Sequence, residues 1–106
     1  MVPQIRQGDV LLTALPAPPS PTPTRALDAL GLPLAGLRVE GERTGHVHQL
    51  PARVYDAPAG RRLLFLERPE TLTHQEHAHV EVSAGWWEVR IQREFVPAER
   101  PRRRFD

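Results

Sequence analysis

The chain contains no cysteine among its 106 residues. Disulfide bonds and thiolate metal ligands are therefore excluded, and a metal ion would have to be held by imidazole, carboxylate or water. A chain of this length can build one modest hydrophobic core, so we expect a single β domain over 1–106. Any functional site must lie beside that core.

Lysine is absent as well, and the fourteen basic residues are all arginine. Thirteen acidic residues leave a formal net charge of +1, which argues against a general nucleic-acid coat. The sequence also lacks any run approaching the ~20 apolar residues that span a bilayer, and it lacks a signal-peptide pattern. We therefore expect a cytoplasmic protein with no membrane partner.

The histidines are confined to two short segments, 46–48 and 74–79. They are His46, His48, His74, His77 and His79. On an extended strand the side chains of residues i and i+2 leave the same face, so a His-x-His pair places two imidazoles side by side. Two such groups on neighbouring strands can surround one metal ion.

Apolar and polar residues alternate between regularly spaced turn residues, which predicts an all-β fold. The predicted strands are 10–15, 37–43, 46–50, 52–56, 61–67, 77–82 and 86–95. Six or seven short strands are typical of a small antiparallel β-barrel or sandwich. The last strand has one apolar face, which predicts four core residues: Trp87, Val89, Ile91 and Phe95.

Two segments fall outside this strand pattern. Five prolines lie between residues 16 and 23, and they remove backbone donors and favour extended polyproline geometry. We interpret 16–36 as a Pro-rich loop or flap, with one or two helical turns within 24–31. Four arginines make 97–106 a basic C-terminal tail that could contact phosphates.

The histidine segments predict a divalent metal site. His46 and His48 supply two ligands from one strand, and one or both of His74 and His77 complete the set. Zinc, iron, nickel and manganese all accept imidazole and carboxylate ligands, so the identity of the metal stays open. The resulting function is a small metal-binding protein, with a hydrolase or lyase reaction on an undetermined substrate.

Three further residues complete this hypothesis. Glu76 is predicted as the acid-base residue, with His77 as a second catalytic group. Strand alternation places Arg93 among apolar neighbours, where an arginine needs a partner, so we predict that it anchors an anion or carboxylate. Alternation also turns His77 away from the core face of Val80. A site then needs a bulge, a cleft or ligands from a second subunit, so a homo-oligomer is one solution.

Two other functions use the same residues differently. In a metal-independent ribonuclease, one imidazole acts as base, another as acid, and a guanidinium stabilises the transition state. Thr44 and the arginines would then line an RNA-binding groove. In a non-enzymatic interaction protein, the Pro-rich segment and an exposed Trp86 would bind a partner, and the histidines would be structural.

Four segments carry a resemblance. They read RQGDVLL at 6–12, GERTGHVH at 41–48, TLTHQEH at 71–77 and EVRIQREF at 88–95. They resemble a family of small bacterial proteins without an established activity, with the pattern RQGDVLL, GExTGHxH, LxHEEH and YEVRxQREY. The resemblance implies that the important positions are Gly8, Asp9, Thr44, Gly45, His46, His48, His74, Glu76, His77, Gln92, Arg93 and Glu94.

This chain departs from that pattern in small ways. Gln75 stands where the pattern has glutamate, Phe95 stands where it has tyrosine, and His79 matches no histidine in it. A looser likeness is to cupins, β-barrels that hold a metal through a G...HxH segment and a later histidine. Here the spacing from Gly41 is one residue short, and no glutamate follows His48 at the cupin distance, so the cupin serves as an architectural analogy only.

Overall fold

The computed structural model of the chain describes residues 3–41 and 45–92. Within these ranges it has ten β-strands and no α-helix. The strands are β1 (Gln4–Gln7), β2 (Val10–Ala14), β3 (Thr24–Arg25), β4 (Leu37–Glu40), β5 (Val47–Leu50), β6 (Arg53–Ala57), β7 (Arg61–Leu66), β8 (Glu70–Leu72), β9 (Val80–Val82) and β10 (Gly85–Ile91). β6 and β7 are joined by a 3-10 turn, Pro58–Gly60.

Six strands form one antiparallel sheet in the order β1-β2-β10-β7-β6-β3. The remaining strands form two antiparallel hairpins, β4 with β5 and β8 with β9. The predicted all-β antiparallel fold is therefore confirmed. The main sheet has β1 and β3 at its edges, so the strands in the described part of the chain form layered sheets and not a closed barrel.

One hydrophobic core joins the main sheet to both hairpins. The main sheet contributes Val10, Leu12, Val54, Leu64, Leu66, Trp87 and Val89, and the hairpins contribute Leu37, Leu50, Leu72 and Val82. The core positions predicted for Trp87 and Val89 are confirmed. The indole N–H of Trp87 donates to the carbonyl of Ser83 at 2.9 Å, so its polar atom is not left unpaired inside the protein.

Three strands were not predicted from the sequence: β1, β3 and β8. β1 has a single apolar residue, Ile5, and it becomes a strand because it pairs with β2 from Gln4 opposite Thr13 to Gln7 opposite Val10. Such pairing depends on tertiary context more than on local propensity. The sequence pattern therefore missed strands that are short and carry few apolar residues.

The helical turns predicted within 24–31 are wrong. Thr24–Arg25 pairs with β6, and the Asp28 carboxylate accepts hydrogen bonds from the backbone N–H groups of Leu30 and Leu32. A short acidic side chain that binds nearby backbone groups competes with helix formation. The segment 16–36 thus contains a strand and a tight loop, and Ala26 is fully buried in the core.

The ends of two predicted strands also differ. β9 begins at Val80 and not at His77, which leaves 73–79 as an irregular loop. Ile91 is 43% exposed, because β10 extends past its pairing with β7, which ends at Val89. Phe95 and the predicted tail, 97–106, lie outside the described residues. No helix within the described ranges has the length and apolar character needed to cross a membrane.

Leu64→Ala is expected to lower the free energy of unfolding by about 2–5 kcal/mol, because Leu64 is fully buried and its truncation leaves a cavity in the core. The matched control is Leu30→Ala. Leu30 is 84% exposed, so this variant is expected to stay within about 0.5 kcal/mol of wild type. Urea unfolding followed by tryptophan fluorescence measures both. Equal losses in the two variants would contradict this description of the core.

Candidate functional site

Four of the five histidines meet in one polar pocket of about 300 Å³. The pocket is lined by Gly8, Asp9, Gly41, His46, His48, His74, Glu76 and His77. It brings together the four predicted metal ligands and the predicted acid-base residue Glu76. His79 is exposed and does not line the pocket.

Four segments of chain line this pocket: the turn between β1 and β2, Gly41 after β4, the stretch 46–48 at the start of β5, and the loop 73–79. The loop is tied to β5 in two places. Gln49 and Thr73 exchange backbone hydrogen bonds, and the side-chain oxygen of Gln75 accepts a hydrogen bond from the N–H of Val47 at 2.8 Å. These bonds bring the two histidine segments to the same side of the core.

His48 is 1% exposed, and a neighbouring glutamine fixes the position of its proton. The side-chain N–H₂ group of Gln7 donates to the carbonyls of Leu72 and Ala78 at 3.0 and 2.9 Å. The oxygen of the same amide therefore lies 2.9 Å from Nδ1 of His48 and can only accept. It follows that Nδ1 of His48 carries a proton.

The other nitrogen of His48 faces a carboxylate. Its Nε2 lies 3.1 Å from Oδ1 of Asp9. Burial lowers the pKa of His48, neighbouring His74 lowers it further, and Asp9 opposes both effects. When His48 is neutral and Asp9 ionised, two lone pairs face each other, so the contact calls for a proton or another cation between the two atoms.

His74 is 7% exposed, and it has the opposite tautomer. Its Nδ1 accepts hydrogen bonds from the backbone N–H groups of Glu76 and His77 at 2.9 and 3.2 Å. Neutral His74 must therefore carry its proton on Nε2. That nitrogen lies beside Gly41, 3.5 Å from where a Cβ atom at this glycine would stand, so it presents an N–H donor at the pocket wall.

His74 is also the central ring of the cluster. Its centroid lies 4.3 Å from that of His48, 4.5 Å from that of His77 and 5.7 Å from that of His46. Burial lowers the pKa of His74, and the nearby imidazoles of His77 and His46 add to the effect. A second positive charge in this cluster is therefore costly, which favours the neutral ring at pH 7.

The remaining pocket residues lie closer to solvent. Nδ1 of His46 is 3.6 Å from a carboxylate oxygen of Glu76, whose side chain is 52% exposed. Nε2 of His77 would be 2.6 Å from a Cβ atom at Gly8, and Gly8 has a φ of +59°. Only glycine satisfies both the close approach and the left-handed backbone.

The donor atoms do not yet form a metal-binding arrangement. Among residues 3–41 and 45–92, no three or more histidine, aspartate or glutamate side chains are grouped so as to hold a metal ion. The prediction that His46, His48, His74 and His77 are ligands therefore stays a prediction.

Other predicted site residues lie elsewhere. Gln92 does not line the pocket. Its side-chain oxygen accepts a hydrogen bond from Arg6, and its backbone N–H donates to the carbonyl of Asp9 at 2.7 Å, so it holds the turn before β2. Thr44, Arg93 and Glu94 lie outside the described residues, and their predicted roles stay predictions.

The sequence interpretation missed Gln7 as a site residue. Its three hydrogen-bond partners lie 41, 65 and 71 residues further along the chain, so no local pattern marks it. Asp9 stood among the important positions of the resembling family but was not assigned to the site. Recognising β1 as a strand would have supplied the missing signal, since alternation places Gln7 on the face opposite to Arg6.

Gln7→Leu is expected to lower the free energy of unfolding by at least about 2 kcal/mol, because it leaves His48 Nδ1–H and two carbonyls without partners. The control is Gln4→Leu. Gln4 lies at the other end of β1 and is exposed, so this variant is expected to stay within about 0.5 kcal/mol of wild type. Nitrogen NMR of the wild-type ring should report a protonated Nδ1 on His48. A neutral ring protonated on Nε2 would contradict this assignment.

Acidification should destabilise the metal-free protein. The pKa values of His48 and His74 are lowered in the folded state, so the unfolded chain binds more protons once the pH falls below about 6.5. Stability is therefore complete above this pH and is lost as the pH falls toward the folded values. Urea unfolding between pH 8 and 5 in chelator measures the slope. His74→Gln should reduce it and His79→Ala should retain it; an unchanged slope in His74→Gln would contradict the assignment.

Comparison with known proteins gives one family match. Neither the search of curated proteins nor the search of solved structures finds a match to this chain. A family model described as a domain of unknown function, DUF8820, matches residues 6–92. This range contains Gln7 and all the residues that line the pocket, from Gly8 to His77. Because the match spans most of the sequence, the chain belongs to the DUF8820 family.

Proposed function

We propose that the histidine pocket binds a divalent metal ion, with Nε2 of His48 and the carboxylate of Asp9 as its central ligands. One observation carries the proposal: these two atoms face each other at 3.1 Å while Gln7 holds the His48 proton on the opposite side of the ring. Two ligand atoms that share one ion at about 2.1 Å lie about 3.0 Å apart in octahedral coordination and about 3.4 Å apart in tetrahedral coordination.

Gln7 supports the proposal in a second way. Imidazoles that bind metals usually donate their other N–H to an oxygen, which fixes the tautomer and the ring orientation. Gln7 supplies such an oxygen, and its own orientation is set by two backbone carbonyls. The lone pair of His48 is thus directed before any ion arrives, which lowers the entropic cost of binding.

The other imidazoles take different roles in this proposal. His77 and His46 are the candidates for the remaining ligand positions. Both line the pocket, and among the described residues no backbone N–H donates to their ring nitrogens as two do to Nδ1 of His74. His74 keeps its proton on Nε2 and serves as a hydrogen-bond donor to a bound ligand. Its neutral form suits donation to a carbonyl or phosphoryl oxygen.

A hydrolase or lyase reaction is consistent with this arrangement. The ion would supply Lewis acidity at a water molecule or at an oxygen of the substrate. His74 would orient and polarise that oxygen through its N–H. Glu76, at the solvent side of the pocket, is placed to accept or release a proton.

The second candidate is a metal-independent acid-base pocket, of which a ribonuclease is one form. It is favoured by the lack of a preformed group of metal ligands within the described residues. Here His48 and Asp9 would share one proton, and His74 would donate from Nε2. The two candidates differ in what lies between His48 and Asp9, a metal ion or a proton.

Metal analysis of the purified protein, followed by chelation and titration with zinc, iron(II), nickel and manganese, separates the candidates. We expect about one ion per chain, and we expect His48→Ala to weaken binding of that ion at least about 100-fold, since a direct ligand is lost. His79→Ala is the matched control and should bind as wild type. Folding of each variant is checked by far-ultraviolet circular dichroism.

Saturable binding that depends on both His48 and Asp9 supports the metal site. A protein that binds none of the four ions, or a His48→Ala variant with wild-type affinity, would reject it. Cleavage of RNA that persists in chelator and is lost in His74→Ala would then establish the second candidate.

A further inference from the structure

A second cleft of about 340 Å³ shares no lining residue with the histidine pocket. Its walls are Arg25 of β3 together with 33–35, 51–53, 65–68 and Glu70. Phe65, Leu66, Pro33, Leu34 and Pro51 contribute apolar surface, and charged side chains make up much of the remaining wall. A concavity in which apolar surface and convergent charged groups lie together can hold a small ligand that has both kinds of group.

Arg25 is the unusual residue in this cleft. Its guanidinium carbon lies 5.6 Å from the centre of the Tyr55 ring, a cation-π contact that holds the side chain against the sheet. Its Nε atom is buried and has no hydrogen-bond partner. Buried donors are nearly always paired in native proteins, so this arginine lacks the internal partner that usually compensates a buried N–H. Because Nε itself is enclosed, a ligand in the cleft would have to bind at the terminal nitrogens of the guanidinium.

The other two arginines that line the cleft each have a carboxylate partner. Arg53 is paired with Glu67, and Arg68 lies 3.4 Å from a carboxylate oxygen of Glu70. The two glutamates therefore balance two of the three arginines that line the cleft. Among the described residues that line this cleft, one arginine is left without a carboxylate partner, and it is Arg25.

We propose that this cleft binds one carboxylate group through Arg25, with the apolar part of the same ligand packed on Phe65 and the loop residues Pro33 and Leu34. The planar guanidinium matches a carboxylate with two parallel hydrogen bonds. A single negative charge balances the cleft, and the apolar side chains of Phe65, Pro33 and Leu34 give the rest of the ligand a surface to pack on. The carboxylate can belong to a small molecule or to the end of a peptide. This site is independent of the function proposed for the histidine pocket.

The test is a titration of the protein followed by ¹H–¹⁵N NMR. The probes are benzoate, the neutral benzamide, N-acetylphenylalanine as a peptide-like carboxylate, and inorganic phosphate. We expect saturable shifts with benzoate at the amides of Arg25, Arg53 and 65–68, and we expect none with benzamide. Tighter binding of N-acetylphenylalanine than of benzoate assigns the site to a peptide end, and the reverse order assigns it to a small molecule.

Arg25→Gln should weaken benzoate binding at least about tenfold, since a charge-assisted hydrogen bond contributes about 1.5–3 kcal/mol. Arg25→Lys keeps the charge and the packing, so it should retain more affinity than Arg25→Gln and remains informative if the glutamine variant does not fold. Arg38→Gln, at an exposed arginine outside the cleft, is the control and should bind as wild type.

Three results would overturn the proposal. They are the absence of saturable shifts with both carboxylates, wild-type affinity in both Arg25 variants, and tighter binding of phosphate than of either carboxylate.

Discussion

The side chain of Gln7 is the interaction on which the site depends. It is 3% exposed and uses both ends of its amide, donating to Leu72 and Ala78 and accepting from His48. In doing so it joins an edge strand of the main sheet, the hairpin strand β5 and the irregular loop before β9. A fully satisfied buried polar network of this kind specifies one arrangement, because any slip leaves several groups unpaired at once.

The asymmetry between His48 and His74 follows from this network and from the loop beside it. His48 is protonated on Nδ1 because a fixed oxygen faces that atom, and His74 is protonated on Nε2 because two backbone N–H groups face its Nδ1. One ring thus offers a lone pair to the pocket and its neighbour offers a proton. The same residue type thus presents an acceptor atom at one position and a donor atom at the other, and no difference in the local sequence reveals this.

Much of the site could be predicted from the sequence, and its internal chemistry could not. The pair His46 and His48 follows from strand alternation and from the scarcity of histidine elsewhere. His77 was predicted as a site residue as well, but the predicted strand starting there would have turned its side chain away from the core. The loop instead bends where the ring of His74 accepts hydrogen bonds from the backbone two and three residues ahead, and this side-chain bond ends the strand pattern. The fold class was predictable because apolar and polar residues alternate along most strands, while the edge strands β1 and β3 are too short and too polar to show this pattern.

The wall formed by Gly8 gives the pocket a direct connection to the main sheet. The ring of His77 lies against bare backbone at this point, so there is no side chain whose rotation could absorb a movement of the imidazole. Gly8 and Asp9 are the turn that sets the register of β1 on β2, and β2 is paired in turn with β10. A ligand that shifts His77 by a few tenths of an ångström therefore presses on the hairpin itself. A ligand in the pocket would therefore act directly on the pairing of β1 with β2 at the edge of the main sheet.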